Sequence, residues 1–166
     1  PDQLALLHHC RLECLRSEIW QGFIYVNLDG QASPLGPRLT ALDLVLQRYH
    51  TDTMHQVFST QETWATNWKC LIENFMGSYH LSTVHPQTLA HMTPTRLCEK
   101  LDGGRDWTGY RAHYPENFDT DVDNPDLTPL EQRCSTLFSV FPGQVVSQRP
   151  FMLVYLSFHP LNANEV

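Results

Sequence analysis

Long apolar runs are missing from this chain. No stretch approaches the roughly 18 consecutive apolar residues that mark a membrane-spanning helix. Positive charge is scarce too: 11 Lys and Arg stand against 18 Asp and Glu, for a net charge of −7. Nucleic acid is bound through basic stripes that neutralise phosphates, and none is present, so a nucleic-acid partner is not expected. There is no charged-then-apolar leader, and the chain starts at Pro1, which points to a processed start or to an excerpt from a longer protein. Repeats and low-complexity segments are absent. The five cysteines (Cys10, Cys14, Cys70, Cys98 and Cys134) are odd in number, which argues against a disulfide framework. Cys10 and Cys14 form a CxxxC in a segment that reads as strand, but no second pair follows to complete a zinc or iron–sulfur site. Free thiols in a reducing, cytoplasmic setting are the expectation.

What is present is one domain's worth of ordinary globular sequence: 166 residues, 42% hydrophobic and 17% charged, enough to bury a core without covalent help. The β-forming run at 23–28, preceded by Gln21-Gly22 and followed by Asp29-Gly30, predicts a strand pair with Gly22 as a bulge or kink. Pro34 and Pro37 punctuate a loop. Leu42, Val45, Leu46 and Tyr49 then fall at helical spacing over 40–49, with Thr40 as a cap. Residues 55–66 read as a strand. Asn67 is placed to cap a helix over about 68–80, with Leu71, Phe75 and Met76 on one face. Glu73 and His80, seven apart, would share a face two turns apart. Pro86 favours extended backbone at His85, so that helix should end before it, and a second short helix is expected over 87–93.

Further strands are expected at 107–114, 136–141, 144–148 and 151–159, with Pro142-Gly143 as a turn. Between the first two lies an acidic run (Glu116, Asp119, Asp121, Asp123, Asp126), read as a solvated loop. It lacks the Gly and distal Glu of a calcium-binding loop. The order of elements predicts an α+β fold with an antiparallel sheet packed on a long helix.

Nine histidines make coincidences of spacing expected. Two pairs lie five apart: His80 and His85 in YHLSTVH, and His50 and His55 in YHTDTMH. Spacing alone does not separate them. Context does, because residues 67–86 read NWKCLIENFMGSYHLSTVHP. The run N-W-K, E-N-F, then Y-H-x4-H-P resembles the iron-binding signature of the catalytic α subunits of Rieske-type non-haem iron oxygenases. WQGFIYVNLDG upstream, and SVFPGQVVS with FMLVYLSFHP downstream, are similar to the same family, so the resemblance spans nearly the whole chain. Nothing comparable surrounds His50 and His55, which read as a helix end followed by a loop.

The resemblance implies a partial helix-grip fold and places residues 1–166 within one catalytic, mononuclear-iron domain. It implies His80 and His85 as ligands of a mononuclear Fe(II), with Asn74 as a polar neighbour of the metal. The residue types suit that role: neutral imidazole is a good Fe(II) ligand, and two His with one carboxylate leave positions open for O2 and substrate. A straight helix would point residues five apart about 140° from each other, so a break between the two histidines is expected. Tyr79 would either line the pocket or pack in the core, and the core is the favoured expectation.

Three features depart from the family pattern. The paired C-x-H and C-x-x-H that hold a Rieske [2Fe-2S] cluster are absent, so that cluster is expected in the parent protein and not in this chain. The carboxylate ligand is expected beyond Val166, and the acidic run at 116–126 is not a substitute. Gly77 stands where the family usually has an acidic residue that bridges to a neighbouring subunit's cluster; Glu73, one turn earlier, is a weak replacement. The resemblance further implies an organic substrate and O2, a reductase or ferredoxin as electron donor, and a homo-oligomer. Aromatic rings and quaternary amines are both open as substrates. The alternative reading is a non-enzymatic helix-grip domain that binds an apolar ligand without metal. A hydrolytic zinc site would need a third ligand for which there is no motif.

Overall fold

A computed structural model describes residues 14–120 and 124–166; Cys10, Asp121 and Asp123 lie outside them. The chain begins with a hairpin of β1 (Arg16–Trp20) and β2 (Phe23–Asn27), paired antiparallel with Trp20 opposite Phe23. Gln21 and Gly22 join them with φ of 51° and 80°. Two consecutive left-handed residues make the tight turn whose twist matches the strands, so Gly22 is a turn residue and not the bulge expected. A Cβ there would also stand 3.1 Å from Asp52 Cα.

Helix α1 (Leu35–Leu46) starts five residues earlier than its apolar spacing suggests. Pro34 occupies the N-cap position and Pro37 lies in the first turn, where a missing N–H costs nothing. Thr40 is therefore interior, and its hydroxyl bonds back to the carbonyls of Gly36 and Pro37. Leu39, Leu42 and Leu46, at i, i+3 and i+7, are fully buried.

Residues 55–66 do not form a strand. A strand needs a neighbour for its ladder, and here the segment is almost wholly exposed; Trp64 exchanges backbone hydrogen bonds with Val166, and Thr66 N donates to Trp64 O. Helix α2 (Trp68–Met76) follows, and Asn67 caps it as expected, its side-chain oxygen accepting from Lys69 N at 2.9 Å. Two one-turn helices, α3 (Leu81–Val84) and α4 (Leu89–Met92), lead to the short strand β3 (Cys98–Lys100).

The remaining strands are β4 (Trp107–His113), β5 (Cys134–Val140), β6 (Gln144–Gln148) and β7 (Leu153–Ser157). With β3 they form a five-stranded antiparallel sheet in the order β3-β4-β5-β6-β7. Gly109 pairs with Phe138, and Phe138 with Val146. Because side chains alternate between faces, Trp107, Phe138, Val140 and Val146 share one face. That face packs on Leu39, Leu42, Leu46, Tyr49 and Trp20 to form the core. Tyr110 lies on the other face and donates its hydroxyl to Phe75 O of α2. The sheet is thus held between α1 with the hairpin on one side and α2 on the other, which is the α+β arrangement expected.

An ion pair fastens α1 to the loop before β4: Arg38 Nε and Nη2 donate to the two carboxylate oxygens of Asp106 at 2.8 and 2.5 Å. The hydrogen bond from Arg38 holds the Asp106 carboxyl below its ordinary range. A lowered folded-state pKa stabilises above the unfolded value, and that contribution disappears as pH falls through the folded one. The Tm difference between wild type and Arg38→Ala is therefore expected at neutral pH and should close below about pH 4. A difference that persists undiminished in acid would show that Arg38 acts by packing alone.

Candidate metal centre

The helix predicted over 68–80 is broken. α2 stops at Met76, Gly77 is extended (φ −103°, ψ 111°), and Ser78–His80 form a 3-10 turn that runs into α3. One break thus precedes both histidines, and the helical backbone ends a second time at Val84, between them, as expected. His80 closes the 3-10 turn and His85 follows the last residue of α3 with φ −115° and ψ 45°. By this route the two rings come together, their centroids 5.4 Å apart and inclined at 64°.

His80 is 8% exposed. Its Nδ1 is buried and has no hydrogen-bond partner among the described residues. Buried polar atoms are nearly always satisfied, and an exception calls for an explanation such as a bound ion. Rings at this separation can share one ion, since each metal–nitrogen bond is about 2 Å. The donor set therefore fits a metal bound through imidazole. Backbone bonds hold the pair in place. His80 O accepts from Thr83 Oγ1 at 3.2 Å, and His85 O accepts from Thr88 N and Ala90 N at 3.2 and 3.1 Å. Among the described residues no third His, Cys, Asp or Glu joins them.

The other site expectations fall as follows. Asn74 is exposed in the last turn of α2, and its carbonyl accepts from Gly77 N at 3.4 Å. Glu73 is exposed, and the break at Gly77 removes the helical face it was to share with His80. Tyr79 is not in the core: it is 77% exposed, and its ring stands edge-on to His80 at 5.4 Å. A Cβ at Gly77 would lie 3.0 Å from Tyr79 Cε1 and 3.1 Å from Glu73 O, so an acidic residue fits there only if the tyrosine ring swings aside. His50 Nε2 is 2.9 Å from Asp126 Oδ2 of the acidic loop. That pairing, at the end of the α1 segment, accounts for His50 without a metal.

Among the clefts of the described residues, two adjoin the sheet. The larger, about 370 Å³, is open and lies between α2 and β4–β5, lined among others by Trp68, Glu73, Trp107 and Phe141. The second, about 290 Å³, lies beside the 3-10 turn and includes Ser78, Cys98 and Tyr110. Neither is lined by His80 or His85. Cys14, Cys70, Cys98 and Cys134 are all free thiols. Burial pushes the Cys134 thiol up to about 11, which keeps it protonated and inert. Among the described residues no helix is long and apolar enough to cross a membrane.

Residues 42–166 match the family described as ring hydroxylating alpha subunit (catalytic domain). The anthranilate 1,2-dioxygenase large subunit of Acinetobacter baylyi is 36% identical over 72 residues, which is 40% of this chain and 15% of that protein. The glycine betaine monooxygenase oxygenase subunit of Chromohalobacter salexigens is 32% identical over 68 residues, 41% of this chain and 15% of that one. The aligned segments thus cover about one-seventh of these relatives. Among solved structures, a quaternary ammonium Rieske monooxygenase superposes with a TM-score of 0.72 at 18% identity, over 91% of this chain and 39% of that one. Naphthalene 1,2-dioxygenase from Rhodococcus sp. gives 0.65 at 21% identity, over 90% and 42%. At such identities the structural likeness speaks for the fold, and it is that of helix-grip-like catalytic domains.

Proposed function

The chain belongs to the family of ring-hydroxylating α-subunit catalytic domains, and on that premise we propose that His80 and His85 are two of the three protein ligands of a mononuclear Fe(II). The observation that carries the proposal is the buried, unpartnered Nδ1 of His80 beside the ring of His85. When bound, the iron supplies activation of O2 for hydroxylation of an organic substrate. The chain's own residues hold and shield the site. His80 and His85 bind as neutral imidazoles, and Asn74 is the polar neighbour carried over from the family pattern. The third ligand, a carboxylate, comes from outside residues 1–166, as does the Rieske cluster that relays electrons from a reductase or ferredoxin. A homo-oligomeric, cytoplasmic parent oxygenase completes the reading.

The test is an anaerobic Co(II) titration of the chain, followed by calorimetry and by the imidazole resonances. Binding is expected to be weak, because only two protein ligands are present. It should fall at least about tenfold, a loss of some 1.4 kcal/mol, in His80→Ala and in His85→Ala. His50→Ala should leave it unchanged. Equal binding by wild type and His80→Ala would overturn the assignment and favour a metal-free ligand-binding domain.

A further inference from the structure

The His80 turn is held open by a side chain from elsewhere. In a continuous helix Ser82 N would donate to Ser78 O, four residues back. Here the Thr95 hydroxyl stands between them. Thr95 Oγ1 accepts from Ser82 N at 3.2 Å and donates to Ser78 O at 2.9 Å, with Tyr79 O at 3.5 Å. Ser82 returns the contact, its Oγ accepting from Thr95 N at 3.0 Å. Ser78 O also accepts from Leu81 N, which keeps the turn 3-10. Insertion of a side chain into a helical ladder is a recognised cause of local bending. Residues 79–81, and so His80, lie between the two backbone groups that Thr95 bridges.

We infer that Thr95 is a positioning residue for the metal centre, with Ser82 as its reciprocal partner: its inserted hydroxyl sets the direction of the His80 ring relative to His85. The inference rests on the reading of those histidines as iron ligands. Thr95 is suited to the task because it opens the 3-10 turn Thr95–Leu97 that leads directly into β3. The histidine turn is therefore referred to the sheet and not to the neighbouring loops. A 3-10 turn advances 120° per residue and an α-helix 100°. If the hydroxyl is removed, Ser82 N can re-pair with Ser78 O, and the return to α geometry rotates His80 by roughly 20° for each residue converted.

The experiment compares wild type, Thr95→Val, Thr95→Ser, Ser82→Ala and His80→Ala in the same Co(II) titration, with amide hydrogen exchange at Leu81 and Ser82 as a metal-free readout. Thr95→Val should change exchange at Ser82 and lower Co(II) affinity at least tenfold. Thr95→Ser keeps the hydroxyl and should restore both to within about threefold. Ser82→Ala keeps the inserted oxygen and should show the smaller effect. If Thr95→Val binds Co(II) like wild type while His80→Ala does not, the positioning role is overturned and the ligand assignment stands. If His80→Ala itself binds like wild type, the ligand assignment fails, and the positioning role falls with it. If Thr95→Ser is as defective as Thr95→Val, the effect belongs to side-chain volume and not to the hydroxyl, which also overturns the inference.

Discussion

Phe138→Ala is expected to destabilise the chain by about 3–5 kcal/mol, the usual cost of truncating a buried aromatic. Phe138 is 1% exposed at the centre of β5. Its ring meets Trp20 edge-on, with centroids 6.4 Å apart and planes at 86°, so it joins the hairpin to the sheet as well as filling the space under α1. Its neighbours Val140, Val146 and Leu42 sit on regular elements that cannot collapse far into the void. Domains are stable by only about 5–15 kcal/mol in all, so this single change removes at least about a fifth of the margin. Urea unfolding should show the midpoint falling steeply at constant slope. Leu137→Ala, on the opposite face and only partly buried, serves as the control and should cost clearly less. A Phe138→Ala shift below about 1 kcal/mol would mean that the hairpin and α1 do not close on the sheet as described.

Gly109→Val sets two effects against each other. Valine is a strong β-former, and in mid-strand β4 that preference favours it by up to about 1 kcal/mol. Space decides otherwise. A Cβ at Gly109 would lie 2.9 Å from the carbonyl oxygen of Leu137, 3.3 Å from Leu101 Cδ1 and 3.4 Å from Phe138 Cβ. The first of these is backbone of the paired strand, which moves only by loosening the β4–β5 ladder. Overpacking of this kind costs about 1–3 kcal/mol before the valine methyls are counted. A net loss of roughly 2 kcal/mol is expected, with alanine intermediate. Thermal unfolding of the glycine, alanine and valine forms checks it, and a rise in Tm along that series would show that the strands have room to spare.

The strands of the sheet were legible because their cues are local. Pro142-Gly143 marks a turn, and Trp107–His113, Cys134–Val140 and Gln144–Gln148 lie within two residues of their expected ranges. Asn67 was legible for the same reason, since a cap bonds two residues away. Residues 55–66 have the composition of a strand and no partner strand among the described residues, and no sequence pattern reports whether a neighbour exists. The start of α1 was hidden by Pro34 and Pro37, which serve a first turn as readily as a loop. At the site, the histidine pair was legible only from the family resemblance of its surroundings, because His50 and His55 repeat its spacing. The manner of its closure was not. Gly77 departs from the family pattern by lacking an acid, but nothing local marks it as the point at which α2 ends. Ser82 and Thr95 carry no signal, being thirteen residues apart and joined through backbone groups.

The order of the strands in space repeats their order along the chain. Three of the four pairings, all but β4–β5 with residues 114–133 between its strands, therefore close short loops, and little chain entropy opposes them. The histidine turn, its threonine bridge and the β3–β4 hairpin all fall within residues 78–113. None of these contacts needs β5 or any later strand as a partner. The distant closure, α1 and the first hairpin folding onto β5 and β6, must wait for the later strands. The contacts that bring the two histidines together are thus local in the chain, while those that complete the core are distant.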